Sequence, residues 1–379
     1  MKTKQLNQSE WKEVELGELL DYEQPTKYIV ESTDYKNEYE TPVLTAGKSF
    51  ILGYTNETKG IYDKLPVIIF DDFTTDNKYV DFKFKVKSSA MKLLIPKNND
   101  VNLKFVFYMM KRIDSKSSTH KRFYLSSYQY RKIPIPFLNG KPDLETQKQI
   151  VAVLEKAEGL KEKRKKTLEL LDEYLKSVFA EMFLKDEFKE KELNEICEFI
   201  DYRGKTPKKT KSGIKLITAK NVKRGYIDNN PEEFIAESDY ECWMTRGFPK
   251  QGDVLFTTEA PLGNAAVLGY FDKIALAQRI ITLQCNGEIN PFYLMYFLLT
   301  SNFQNKLKKD TTGSTVSGIR SKEFKKIKIP LPPLELQEKF AKIVEHVEKT
   351  KEKQKQSLKE IEQLNGALIQ KVFRGELTK

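Results

Sequence analysis

The chain has 379 residues, of which 39% are hydrophobic and 31% charged, and its formal net charge is +11 at pH 7. This length allows two to three domains. The positive excess is typical of proteins that bind a polyanion such as nucleic acid, but on charge alone a merely basic soluble protein fits equally well. No run of about 18 apolar residues is present, which excludes a membrane-spanning helix, and no N-terminal run resembles a signal peptide, which predicts a cytosolic protein.

The cysteines do not form a metal-binding or disulfide pattern. Cys197, Cys242 and Cys285 are far apart in the sequence, odd in number and without C-x-x-C spacing. They are predicted to be reduced thiols, neither disulfides nor zinc ligands. The sequence therefore predicts no metal site.

The first globular domain is predicted to occupy residues 1–142. Leu65–Phe70 is a strand-like apolar run, and Lys78–Val86 alternates apolar and polar residues as a half-buried strand does. Phe105–Met110 is predicted to be a helix whose aromatic side chains pack into a core. The domain is therefore predicted to be mainly β with a few helices.

A long helix is predicted at residues 143–186, where Leu144–Phe183 has helical periodicity. Asp143 is a plausible N-cap, and about 40 residues at about 1.5 Å each give a rod of roughly 60 Å. Apolar residues spaced by 3, 4, 3 and 4 form its narrow stripe: Leu168, Leu171, Leu175, Val178 and Met182. This spacing is typical of a coiled coil rather than of a helix lying on a globular core.

The second half of the chain repeats the first, with a domain at residues 187–332 and a helix at residues 333–379. One constant offset in numbering, which we call the repeat offset, places Leu144 on Leu334 and Phe183 on Phe373 without a gap. The second stripe consists of Leu358, Ile361, Asn365, Leu368 and Val372. The domains repeat more loosely: "PVLTAGKSFILGYT" from Pro42 resembles "IKLITAKNVKRGYI" from Ile214. We interpret the chain as a tandem duplication.

The order of the four segments predicts the architecture. The second helix can bury its stripe only against the first, so the two helices should be antiparallel. The predicted fold class is α+β: two similar mixed α/β domains, mainly β, joined by two long antiparallel helices that form a coiled coil with pseudo-twofold symmetry. Asn365 stands where the first copy has Leu175. It either is buried and fixes the register or faces solvent.

A catalytic constellation is not found. "GKT" at Gly204–Thr206 lacks the earlier glycine of a phosphate-binding loop, because Phe199 stands in its place. The carboxylates of "DDFTTD" at Asp71–Asp76 have no His or Cys beside them, and a capped turn is the preferred interpretation. A duplicated chain without a catalytic pattern is predicted to be a binding or scaffolding subunit rather than an enzyme.

Polar, basic loops on both domains are the candidate DNA contacts. Lysine and arginine neutralise phosphates, and Arg, Asn, Gln and Lys can read base edges. The predicted contact residues are Lys48, Ser49, Lys78, Lys121, Arg122, Tyr128 and Gln129 in the first domain, and Arg203, Lys205, Lys208, Lys220, Asn221, Lys223, Arg224, Ser314, Thr315 and Arg320 in the second.

Over its full length the chain resembles the DNA specificity subunits of type I restriction–modification systems. The resemblance rests on "FIDYRGKTPKK" from Phe199, "GDVLFTTEAPLGNAAVL" from Gly252, "TTGSTVSGI" from Thr311 and "KIKIPLPPLELQEKFAKI" from Lys326. In the first domain "PVLTAGKSFILGYT" resembles another variant of the same domain. The first copy departs from the pattern ahead of its helix, where Phe137–Asp143 is longer than Leu331–Pro333.

The resemblance implies a function for each part. Each domain would be a target recognition domain that reads one half of an asymmetric bipartite DNA site, and the helix pair would set the spacer. Two methyltransferase subunits and two restriction–translocase subunits would be its partners. S-adenosylmethionine, ATP and Mg²⁺ would be bound by those partners, and this chain would bind no cofactor or metal. The alternatives are a coiled-coil scaffold and a stand-alone DNA-binding regulator.

Overall fold

The computed structural model describes residues 9–45, 47, 49–113, 123–203, 206–309 and 318–374, the side chain of Phe373 excepted. The chain divides into two compact units. Unit 1 consists of Met1–Lys165 with Gln356–Lys379, and unit 2 of Lys166–Lys355. Each unit therefore contains one domain and part of each long helix.

Unit 1 begins with short strands and short helices that precede the first long helix. Its strands are β1 (Glu10–Glu15), β2 (Leu20–Glu23), β3 (Thr41–Leu44), β4 (Ile51–Thr55), β5 (Val67–Asp71), β6 (Asn77–Val80), β7 (Lys85–Val86), β8 (Met91–Pro96), β9 (Lys132–Leu138) and β10 (Lys141–Pro142). Its helices are α1 (Leu16–Leu19), α2 (Leu103–Met110), α3 (Phe123–Ser126) and the first part of α4 (Leu144–Phe183), with 3₁₀ turns at Pro25–Tyr28 and Tyr128–Tyr130.

The sheet β2-β8-β5-β6 forms the centre of unit 1 and is antiparallel throughout. Successive side chains of a strand point to opposite faces. Ile68 and Phe70 of β5 accordingly pack into one core with α2, whereas Val67 and Ile69 pack into another with β3 and β7. Because both faces are covered, β5 is a continuous apolar run, as predicted for Leu65–Phe70.

The single strand predicted at Lys78–Val86 is wrong. The structure divides it into β6, which pairs with β5, and β7, which pairs in parallel with β3. Phe82 lies between them and is 37% exposed. The apolar residues alternate across the break because Val80, Phe84 and Val86 are all buried, although they belong to different pieces of chain.

Unit 2 contains a second set of strands and helices. Its strands are β11 (Glu190–Glu192), β12 (Cys197–Asp201), β13 (Lys209–Thr210), β14 (Ile214–Ile217), β15 (Phe234–Ile235), β16 (Val254–Thr258), β17 (Leu262–Val267), β18 (Ile274–Leu276), β19 (Ile280–Cys285) and β20 (Lys328–Pro330). Its helices are α5 (Leu193–Ile196), α6 (Tyr240–Trp243), α7 (Pro291–Leu299), α8 (Ser301–Lys309), α9 (Ser321–Lys325) and the first part of α10 (Leu334–Phe373), with a 3₁₀ turn at Glu237–Asp239.

The central sheets of the two units have the same topology, which confirms the predicted duplication. The order β12-β19-β16-β17 in unit 2 matches β2-β8-β5-β6 in unit 1, and the parallel pair β14–β18 matches β3–β7. Likewise β11 pairs with β20 as β1 pairs with β9. The duplicated sequence therefore produces the predicted mixed α/β, mainly β, domain twice.

In each unit a segment of α4 packs against a segment of α10. In unit 2, Phe183 packs on Phe340 with ring centroids 5.6 Å apart, while Asp172 pairs with Lys351 at 2.6 Å. Moving back along α4 thus corresponds to moving forward along α10, so the helices are antiparallel, as predicted. In unit 1, Lys161 pairs with Glu362 at 2.9 Å. The repeat offset converts Lys161 into Lys351, and it converts Asp172 into Glu362, so the two ion pairs are copies of one another.

The predicted stripes lie at this helix pairing, but they cover only part of its core. Leu175 and Val372 are fully buried. The remaining stripe residues are half-buried: Leu168, Leu171, Val178, Met182, Leu358, Ile361, Asn365 and Leu368. Further buried residues widen the core where the helices meet the domains: Ile150, Val151, Leu154, Phe179, Phe183, Phe340, Val344 and Val347.

Asn365 is half-buried, and its side-chain oxygen is buried without a hydrogen-bond partner. The corresponding Leu175 is fully buried. A buried polar group without a partner costs about 1–3 kcal/mol. We therefore expect Asn365→Leu to raise the free energy of unfolding by about 1–2 kcal/mol, measured by urea denaturation of the full chain. The matched variant Leu175→Asn should lower it, and destabilisation by Asn365→Leu would contradict this interpretation.

Equivalent buried glutamines join each long helix to its domain. Gln147 of α4 accepts a hydrogen bond from the Asn102 amide at 2.8 Å, and Gln337 of α10 accepts one from the Asn290 amide at 2.8 Å. Both glutamines are fully buried, and Asn102 and Asn290 cap α2 and α7. The predicted N-cap of α4 is also confirmed, because Asp143 accepts from the Thr146 amide at 3.1 Å. These bonds fix the direction in which each helix leaves its domain.

Candidate nucleic-acid interface

One end of the β12-β19-β16-β17 sheet brings several predicted contact segments together. β12 ends at Asp201, which is opposite Ile281 of β19. β16 ends at the same level, with Thr257 opposite Ile280, and turns there into β17. The segments that follow β12 and β16 therefore leave the sheet at the same end.

Asp201 holds the start of the segment that follows β12. Its carboxylate accepts hydrogen bonds from Arg203 Nε at 2.9 Å and Nη2 at 2.7 Å, and from Ser321 Oγ at 3.1 Å. Burial raises the pKa of Asp201, but the hydrogen bonds and positive charge of Arg203 outweigh it, so the pKa lies below its usual value. The carboxylate is therefore ionised at neutral pH.

Arg246 holds the same segment from another side. Its Nη1 donates to the carbonyls of Asp201 at 2.6 Å and Arg203 at 3.1 Å. The Tyr202 hydroxyl donates to the Gly247 carbonyl and accepts from the Arg246 amide. The backbone of residues 201–203 is consequently fixed from both sides.

The β16–β17 turn holds the segment that precedes α9. The Ile319 amide donates to the Thr258 carbonyl at 3.2 Å, and Glu259 forms a β-bridge with Gly318. Arg203 Nη1 donates to the Ile319 carbonyl at 3.0 Å. Two segments that are distant in the sequence, both predicted to contact DNA, thus meet at this end of the sheet.

The loop that follows β14 is held against α7 and α8. Asn221 is fully buried, accepts from the Thr218 amide and donates to the carbonyls of Asp228 and Pro231. Arg224 donates to the Leu299 carbonyl at 3.0 Å and to Gln304. These residues shape the loop.

Unit 1 builds the matching end of its sheet with different residues. Asp71 accepts from the Phe73 and Thr74 amides, which confirms a capped turn at "DDFTTD". Asp72 is buried, pairs with Lys92 at 2.7 Å and accepts from the Tyr124 amide at 2.9 Å. A buried carboxylate thus ties the strand end to α3.

The structure corrects two of the predicted DNA contacts. Tyr128 is 1% exposed and packs on Phe70 with ring centroids 4.5 Å apart, and Asn221 is 0% exposed. Both side chains therefore support the fold instead of presenting a surface to DNA. Sequence could not separate these two residues from exposed ones, because Tyr and Asn in a basic loop suit either role.

The other predicted contacts fall into groups that remain predictions. Exposed residues are Ser49, Lys208, Lys220, Arg224 and Arg320, and half-buried ones are Lys78, Gln129, Arg203 and Lys223. Arg203 and Arg224 make the internal bonds described above, a role that was not predicted. Lys48, Lys121, Arg122, Lys205, Ser314 and Thr315 lie outside the described residues.

The described residues contain neither a candidate metal site nor a candidate membrane-spanning helix. Among the described ranges, no group of three or more His, Cys, Asp or Glu side chains could hold a metal ion. The cysteines are free thiols, and Cys197 of β12 lies opposite Cys285 of β19. A hydrogen bond with Cys285, together with burial, raises the pKa of the Cys197 thiol. Across the part of the chain that the structure describes, no helix has the length and apolar character needed to cross a bilayer.

Comparison with known proteins supports one family. Residues 8–170 and 185–363 match the family "Type I restriction modification DNA specificity domain". The chain is 36% identical over 358 residues to the EcoR124I/EcoR124II type I restriction enzyme specificity subunit of Escherichia coli, covering 89% of this chain and 86% of that protein. It is 25% identical over 401 residues to the MjaVIII specificity subunit of Methanocaldococcus jannaschii, covering 97% and 93%.

A solved structure has the same fold. The S subunit of a type I restriction–modification system from M. genitalium superposes with a TM-score of 0.60, at 18% identity and over 98% of both chains. The family match covers both domains and both long helices in large part, and the fold agrees with it. The chain therefore belongs to the family of type I restriction–modification DNA specificity subunits.

Proposed function

We propose that this chain is the DNA specificity subunit of a type I restriction–modification complex and reads an asymmetric bipartite DNA site. The observation that carries the proposal is the sheet end that is built twice on the same topology. In unit 2 it is organised by Asp201 and Arg203, and in unit 1 by Asp72 and Lys92. Equal central sheets that carry different residues at the same end would read two different half-sites.

The charge and placement of exposed residues support DNA as the ligand. Lys208 and Arg320 are exposed cations on or next to the segments at the sheet end of unit 2, and Lys220 is an exposed cation on the loop that follows β14. Lysine and arginine contacts to phosphate supply affinity, and side chains that reach base edges supply specificity. The net charge of +11 is consistent with such contacts.

The methylation and restriction of DNA are assigned to partner subunits. In this proposal two methyltransferase subunits and two restriction–translocase subunits assemble on the chain in the cytosol. S-adenosylmethionine, ATP and Mg²⁺ bind to those subunits, and none binds to this chain. The relative from Escherichia coli is itself named as the specificity subunit of a restriction enzyme, which supports an assembly of this kind.

Mapping of methylated adenines tests the proposed function. The full chain is co-expressed with its methyltransferase in cells that lack other adenine methylation. We expect methylation at one split, asymmetric sequence, since the two units differ at the sheet end. Cells that express the methyltransferase alone are the control and should lack this methylation. An assembled complex that methylates no specific site would contradict the proposal and favour a scaffold, whereas tight operator binding without a partner would favour a regulator.

A further inference from the structure

We propose that Arg320 is a base-reading residue of unit 2 and that the Asp201–Arg203 ion pair positions it. This inference rests on the proposed function, because it names the residues through which unit 2 would recognise its half-site. It follows from the contacts of the ion pair, which bind Ile319 and Ser321, the residues on either side of Arg320.

The ion pair is anchored on both sides of Arg320 in the sequence. Arg203 Nη1 donates to the carbonyl of Ile319, and the hydroxyl of Ser321 donates to the carboxylate of Asp201. The residue before Arg320 is therefore bound by the guanidinium, and the residue after it by the carboxylate.

The backbone of Arg320 itself is also fixed. Its carbonyl accepts hydrogen bonds from the amides of Glu323 at 3.1 Å and Phe324 at 2.9 Å, which begin α9. Phe324 is fully buried and stacks on Phe256 of β16, with ring centroids 4.4 Å apart. Arg320 thus stands on a rigid base connected to the central sheet.

The side chains of Asp201 and Arg203 form hydrogen bonds to groups within the protein. Those of Arg203 and Asp201 are only 24% and 25% exposed. The carboxylate accepts from Arg203 and Ser321, and Arg203 donates from Nε and Nη2 to Asp201 and from Nη1 to the carbonyl of Ile319. The side chain of Arg320, in contrast, is exposed. Arg203 therefore holds the site together, and Arg320 is the arginine placed to reach outward.

Rigid presentation suits base reading. An arginine can donate two parallel hydrogen bonds to O6 and N7 of guanine, which requires a defined position and orientation. A phosphate contact tolerates more freedom, because it depends mainly on charge. A phosphate contact does not require a backbone that is fixed at residues 319, 320 and 321, whereas a bidentate guanine contact benefits from it.

The test measures discrimination between DNA sequences, using the full chain in complex with its methyltransferase. The probe is a duplex carrying the site that methylation mapping defines, together with duplexes in which each base pair is changed in turn. For Arg320→Ala we expect discrimination to fall about tenfold or more at one G·C pair of one half-site. Arg320→Lys should not restore it, because a lysine lacks the planar pair of donors.

If the ion pair positions Arg320, changing either partner of the pair should affect the same base pair that Arg320 reads. Asp201→Asn and Arg203→Gln should each weaken discrimination at the same base pair as Arg320→Ala. The double variant should add little to either single variant, since each one breaks the same ion pair. A general loss of stability would lower the active fraction without changing a ratio between two DNA sequences.

Matched controls separate this role from charge and from folding. Lys322→Ala removes an exposed cation close to Arg320 on the same segment and should weaken binding evenly on all duplexes. Asp253→Asn alters another buried carboxylate of unit 2, bonded to the Lys250 amide and Gln284, and should leave discrimination unchanged.

Four outcomes would contradict the inference. An even loss of affinity for Arg320→Ala would make it a phosphate contact. Unchanged discrimination in Asp201→Asn, or a loss at a different base pair, would remove the positioning role. A wild-type complex with no discrimination at any position would instead refute the proposed function, and this inference with it.

Discussion

Truncation of the chain after Asp186 is expected to give a protein that dimerises through α4 and directs methylation at a symmetric site. The reason lies in the duplicated ion pairs. In the full chain Lys161 pairs with Glu362, and Lys351 pairs with Asp172. Because Asp172 corresponds to Glu362 in the repeat, Lys161 of a truncated chain would meet Asp172 of the partner subunit. Two such pairs would form in an antiparallel dimer.

The apolar stripe favours the same dimer. A pair of α4 helices contains Leu175 twice and no residue equivalent to Asn365. A pair of α10 helices from the second half of the chain would contain two Asn365 side chains, whose oxygen is buried without a partner in the full chain. The first half is therefore expected to dimerise more tightly than the second. Two copies of unit 1 would then read two inverted copies of one half-site.

Light scattering of the truncated chain, and methylation mapping after its co-expression with the methyltransferase, check this prediction. A matched pair of variants tests the mechanism. Lys161→Glu would place a second carboxylate beside that of Asp172 in both contacts of the dimer. It should weaken the dimer, with the dissociation constant rising about tenfold, because a like-charge contact costs about as much free energy as the exposed ion pair it replaces provides. Lys161→Glu combined with Asp172→Lys should restore it. A monomeric truncated chain, or an asymmetric methylation pattern, would contradict the prediction.

The repeat made the architecture predictable. The gapless repeat offset predicted two long helices, and the 3-4 spacing of Leu168, Leu171 and Leu175 predicted that they pair. Local chemistry was also predictable, since the cap at Asp143 and the turn at Asp71 depend on backbone groups within a few residues. Caps and turns depend on residues that are close together in the sequence, so a single sequence contains all the residues that determine them.

The parts that were not predicted depend on long-range contacts. Phe179 is buried because Tyr293 and Phe340 pack on it, and neither is near it in the sequence. Arg203 was predicted to contact DNA, although it bonds to Asp201 and to the distant carbonyl of Ile319.

The buried glutamines show where the two kinds of signal meet. The correspondence of Gln147 with Gln337 is contained in the sequence, because the repeat offset superposes them. Their role as buried acceptors for the amides of Asn102 and Asn290 required the fold. A repeat in the sequence thus identifies equivalent residues, but only the packed structure shows what those residues bind.

Lengthening both long helices by one heptad is expected to lengthen the spacer of the DNA site by about three base pairs. Duplicating Glu162–Leu168 in α4 and Glu352–Leu358 in α10 keeps the inserted segments matched in the repeat and preserves the stripe. Seven residues at about 1.5 Å each add roughly 10 Å, and each base pair rises about 3.4 Å. The methylation map of the variant measures the spacer. Inserting five residues in both helices is the control: it turns the stripe by about 140° and should abolish methylation. An unchanged spacer after the heptad insertion would mean that the helix pair does not set the distance between the half-sites.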